Sequence, residues 1–120
     1  MKLPDVVTIA DKAFRVDVRY SRGHGGDGSV NRDTQTIVLH HDARTTNGEM
    51  LDTLCHEALE AWALMQGYYF RSSDDILISF GHVGVRTFAS TFSRILGDVL
   101  TANGVGVDMT APYGTRKATT

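Results

Sequence analysis

The chain has 120 residues, 42% hydrophobic and 22% charged, with a formal net charge of −2. That length forms one domain whose core needs no disulfide, and the mild acidity supplies no basic field to hold nucleic acid or a membrane surface. The single cysteine, Cys55, excludes an intramolecular disulfide and fits a reducing compartment. Residues 1–5 lack the apolar core of a signal peptide. No apolar run approaches the ~20 residues that span a bilayer, so a cytoplasmic protein is expected.

In chain order, residues 6–9 read as a short strand, Asp11-Lys12 as a turn, and residues 13–20 as a second strand. Phe14, Val16, Val18 and Tyr20 alternate with Arg15, Asp17 and Arg19, the period of a half-buried strand. The two strands form a hairpin. Residues 21–33 read as loop, rich in glycine and ending in the turn formers Asn31 and Asp33. Residues 34–41 form a third strand centred on Ile37, Val38 and Leu39.

Asn47 can cap a helix over residues 48–66, with Glu49 and Asp52 in its early turns and Gly67 as its stop. Residues 68–80 form a connector. A second helix follows over residues 81–102, its stripe marked by Val85, Phe88, Phe92, Ile95 and Val99 and its end by Asn103-Gly104. The expected class is α+β, a short, mostly antiparallel sheet of about three strands packed on two long helices. Residues 1–104 make one domain, and residues 105–120 form a tail that stays mobile unless a partner orders it.

The first helix carries His56-Glu57-Ala58-Leu59-Glu60, an H-E-x-x-E pattern. Side chains four apart stack on one helix face, which suits two ligands of one metal ion. The bland alternative is a solvated polar face, because Leu51, Leu54, Cys55, Ala58, Trp62 and Met65 mark the opposite, sheet-packing side. A catalytic metal takes three protein ligands and keeps one open position. His82, at the head of the inward-facing second helix, is the natural third, giving the set His56, Glu60 and His82. Two imidazoles and a carboxylate suit Zn2+ and also iron or manganese. Glu57 is then placed as general base, taking a proton from water activated by the metal. Its bland alternative is a plain surface glutamate.

With these residues the chain resembles small phage- and prophage-encoded zincin-like proteins. The matching pieces are the strand Thr36-Ile37-Val38-Leu39, the helical stretch from Leu54 to Ala61, His82, and Val99-Leu100-Thr101-Ala102-Asn103. The resemblance spans roughly residues 35–104. It implies a minimal metallopeptidase-like fold with His56, Glu60 and His82 as ligands and Glu57 as base, and no known substrate; a peptide or protein is a candidate, and the host bacterial cytoplasm is the setting if the chain is phage-encoded. The competing function is a non-enzymatic phage structural or host-interaction protein with a structural or vestigial metal site. Its marks would be the aromatic run Tyr68-Tyr69-Phe70 and the tail.

Other polar residues are weighed against the same site. His40 and His41 end the third strand and point to opposite faces, so one can border the cleft; a strand-end surface position is the alternative. His24 lies in the glycine-rich stretch, which reads as an ordinary flexible loop; its backbone amides can also cradle an anion, or it can cover the site as a lid. Cys55 reads as a buried structural thiol and Trp62 as core. Asp74 and Asp75 can support a metal ligand or simply form a solvated turn.

Overall fold

The computed structural model describes the backbone of residues 1–66, 69–72, 75–78, 82–104 and 107–114, and the side chains of residues 1–66, 88–104 and 107–114. Eight elements follow in order: β1 (Val6–Ile9), β2 (Lys12–Tyr20), β3 (Gly28–Asn31), β4 (Thr36–His41), α1 (Asn47–Gln66), β5 (Tyr69–Ser72), β6 (Asp75–Ile78) and α2 (His82–Asn103). The class is α+β, as the sequence implies. The main sheet has four strands in the order β1-β2-β4-β3, and β5 and β6 form a separate antiparallel hairpin within the connector.

Two features depart from the expected sheet. Strands β2 and β4 pair in parallel, from Arg15 opposite Thr36 to Tyr20 opposite His41. Such a pair cannot be joined by a tight turn; the segment between them crosses β4 and returns antiparallel on its far side as β3. That strand lies inside the stretch expected to be loop. Its sequence, Gly-Ser-Val-Asn, carries one apolar residue, too little for a period of two to show. The hairpin turn between β1 and β2 falls at Ala10-Asp11, one residue earlier than expected, with both residues at positive φ. That is the handedness a two-residue hairpin loop favours.

The core lies between one face of the sheet and the helices. Val7, Ile9, Phe14, Ile37 and Leu39 from the sheet meet Met50, Leu54, Ala58, Ala61 and Trp62 from α1, and Ile95 and Val99 from α2. Trp62 is fully buried, with its ring 5.7 Å from that of Phe88, which joins the two helices. Asn103 donates to the carbonyls of Val99 and Lys2 and accepts from the Lys2 amide, pinning the chain start to the end of α2. Gly104 follows at φ 72°, the left-handed position that ends a helix. Among the described residues no helix is long and apolar enough to cross a membrane.

The start of α1 is held twice. The cap is Thr46 rather than Asn47: the Glu49 amide donates to Thr46 Oγ1 at 3.2 Å, and the Thr46 amide donates to Glu49 Oε1 at 3.0 Å. This is a reciprocal capping box. Asn47 turns instead to the segment after α2, donating from Nδ2 to the Asp108 carbonyl at 2.8 Å. The amides of Asn47 and Gly48 donate to Ala111 and Met109, and that of Tyr113 to Thr45. Part of the expected tail, residues 107–114, is therefore built onto the head of α1, and residues 115–120 lie outside the described residues. Thr46→Ala should lower the unfolding free energy by about 1 kcal/mol, read from denaturant midpoints. Truncation after residue 106 should speed hydrogen exchange at the Asn47 and Gly48 amides. Unchanged exchange there would show that the segment contributes nothing to the helix start.

Candidate metal centre

The inward stripe of α1 runs through Met50, Leu54, Ala58 and Ala61, one residue per turn or slightly more. Glu57 sits on that stripe, three residues after Leu54 and four before Ala61. Its side chain is only 6% exposed. The surface-glutamate alternative therefore fails. Of the inward side expected from the sequence, Leu54, Ala58 and Trp62 are buried while Leu51, Cys55 and Met65 are only half-buried; Met50, Glu57 and Ala61 take the inner places instead, and neither that rotation nor the strand that covers Glu57 was read from the sequence. Strand β3 passes so close that a Cβ on Gly28 would lie 2.8 Å from Thr53 Cγ2 and 3.0 Å from Glu57 Cγ. Thr53 Oγ1 also donates to the Gly26 carbonyl at 3.3 Å and to the Glu49 carbonyl at 2.8 Å.

Around Glu57 the helix brings three potential ligand groups together. His56 Nε2 lies 3.6 Å from Glu60 Oε1 and 3.9 Å from Glu57 Oε2. One ligand atom from each residue falls within 4.8 Å of the others. Two donors on one tetrahedral zinc, each at ~2.1 Å, stand about 3.4 Å apart. The His56–Glu60 pair is thus close to a ligand–ligand separation. Exposure is graded: His56 is 66% exposed, Glu60 27%, and Glu57 lies beneath them.

The electrostatics are those of a crowded carboxylate pair. Burial pushes the Glu57 carboxyl up to about 8, and the negative charge of Glu60 and a hydrogen bond to it add to the shift. A proton shared between two carboxylates relieves their repulsion when no cation does so. The donor set thus fits a divalent metal, which would neutralise the same pair. Among the described residues this is the group of histidine and acidic side chains that fits an ion. His82 opens α2, as expected from the sequence, but its side chain lies outside the described residues.

An open cleft of about 430 Å³ adjoins the group. One wall is Gly26, Asp27 and Gly28; the other is Asp52, Thr53, His56 and Glu57. The glycine-rich segment thus forms a wall of the site as a strand and its lead-in. His24 is not on that wall and pairs with Asp27 at 3.2 Å. His40 and His41 also lie elsewhere. His40 Nδ1 meets Ser21 Oγ at 2.7 Å. The His41 ring packs edge-on to Tyr20 and Tyr113, and its pKa is lowered by burial. Cys55 is half-buried, its thiol pushed up to about 11 by burial and by Asp52, which suits an inert structural thiol. The side chains of Tyr68, Tyr69, Phe70, Asp74 and Asp75 lie outside the described residues.

Comparison with family models, with curated proteins and with solved structures gives no match. The residues themselves carry what can be said of the site.

Glu57 makes stability depend on pH in a defined direction. The folded protein holds this proton up to about pH 8, whereas an ordinary glutamate releases it near 4.5. The unfolded chain therefore binds fewer protons between those values, and stability falls as pH rises through them. Metal-free protein should be most stable near pH 5 and lose stability towards pH 8. Glu57→Gln, which keeps the shape without the ionisation, should flatten that slope. A slope of equal size in the variant would assign it to other groups.

Proposed function

We propose that this chain binds one divalent transition metal, most simply Zn2+, through His56 and Glu60, with His82 as the third ligand. In this reading it is a small metal-dependent hydrolase of the metallopeptidase-like kind. The observation that carries it is the buried, proton-holding Glu57 wedged between Glu60 and His56 beside an open cleft. Bland polar helix faces are solvated on both flanks; this one is closed by a strand on one flank and open on the other. The resemblance of residues 35–104 to small phage zincin-like proteins points the same way.

The ion would supply a Lewis acid that polarises a carbonyl and lowers the pKa of a bound water towards ~7. The chain's own residues would do the remaining work. His56 and Glu60 hold the cation from adjacent turns of one rigid helix. A positive charge beside Glu57 favours its carboxylate, so Glu57 becomes competent as a base only when the site is loaded. Without it, the same carboxyl is neutral at pH 7. Substrate enters the cleft between the glycine wall and α1, with a peptide or protein as the expected class. The cytoplasm of a bacterial host is the expected setting.

Elemental analysis of protein purified without chelator should find about one zinc or similar ion per chain. His56→Ala and Glu60→Gln should each weaken binding tenfold or more, and Glu57→Gln should keep the ion while abolishing turnover of a peptide library. Less than ~0.2 ion per chain even after zinc is added would sink the metal reading. Loss of binding in Glu57→Gln would make Glu57 a ligand instead of the base.

A further inference from the structure

On the cleft wall, β3 sets a residue without a side chain against α1. Gly28 is held in place from two directions. Its strand pairs with β4 in fixed register, Gly28 opposite Leu39 and Asn31 opposite Thr36. Its lead-in is held by the hydrogen bond from Thr53 to the Gly26 carbonyl. The strand therefore cannot back away from α1 without breaking ladder bonds. Glu57 faces it with Cγ 3.0 Å and Cδ 3.3 Å from the place where a Cβ would stand. Contacts that short are steep on the repulsive side of the van der Waals curve.

We propose that Gly28 is a positioning residue for the His56–Glu57–Glu60 site. By lacking a Cβ it lets β3 close onto Thr53 and Glu57, and this holds the Glu57 carboxyl against Glu60 beside His56. A glutamate on an open helix flank would turn its carboxyl into water. Here Gly28 packs beside the Glu57 stem, and the carboxyl lies towards Glu60 on the next turn of the helix. A methyl at position 28 meets Thr53 Cγ2 and Glu57 together, and of the two the unbranched Glu57 side chain can turn aside more easily. The metal arm of the inference rests on the proposed ligand role of His56 and Glu60; the placement of Glu57 does not.

The two neighbours of the absent Cβ allow packing to be separated from positioning. A Cβ would meet Thr53 Cγ2 at 2.8 Å, and Thr53→Ser removes that methyl while keeping the hydroxyl bonded to Gly26 and Glu49. Gly28→Ala should lower Tm by about 5 °C, shift the carboxyl 13C resonance of Glu57 in metal-free protein, and weaken cobalt(II) binding about tenfold with an altered visible spectrum. Adding Thr53→Ser should restore Tm but neither the Glu57 resonance nor the cobalt spectrum, because the conflict with Glu57 remains. A double variant that recovers all three would reduce Gly28 to a packing role and overturn the proposal. So would Gly28→Ala with an unmoved Glu57 resonance. If wild-type protein binds no cobalt while the resonance shifts as stated, the metal reading fails and the positioning role of Gly28 stands.

Discussion

The contact between strand β3 and helix α1, made at Gly28, is the constraint on which the rest of the site depends. The edge strand of the sheet brings a bare backbone against Thr53 and Glu57. That contact turns the polar flank of an amphipathic helix into an interior surface. Burial of a carboxylate is costly unless it is paired or neutralised. Glu57 meets the constraint by keeping its proton and bonding to Glu60. Burial, and the neighbouring Glu60, together raise the pKa of that carboxyl.

The same helix serves core and site at once. Its inward stripe carries Leu54, Ala58 and Ala61 into the apolar interior with Trp62 beside them, and Glu57 occupies the edge of that stripe. Moving one step outward around the helix leads to Glu60 and then to His56, from partly to largely exposed. The site is therefore graded from dry to wet over one turn. A rigid helix anchored by a fully buried tryptophan is a firmer base for ligand groups than a loop would be.

The other end of α1 is secured differently. Thr46 and Glu49 satisfy each other's amides across the first turn, and residues 107–114 return to take up the next two donors. Helix starts leave several amides without partners within the helix. Here they are supplied by a segment distant in sequence, so the end of the chain and the middle of the chain stabilise one another. Tyr113 extends this contact onto His41, at the end of the strand preceding α1.

Much of this was legible in the residues. Alternation in residues 13–20 marks β2, and the apolar stripes mark both helices to within a residue or two of their ends. The i, i+4 pair His56 and Glu60 follows from helical geometry once the helix is recognised. The inward place of Glu57 was not read, because the apolar stripe was set through Leu51, Cys55 and Met65 and a charged residue at its edge looks like a surface one. Tertiary structure alone decided three things. It made β3 from a glycine-rich stretch whose pairing comes from its partner strand and not from its own pattern. It made β2 and β4 parallel, which local sequence does not encode because register and direction are set by what lies between. It also buried Glu57, since hydropathy describes a residue and burial describes what packs against it. The sequence by itself determined that His56 and Glu60 share one helix face; the packing of strands distant in sequence determined that Glu57 beside them would be buried.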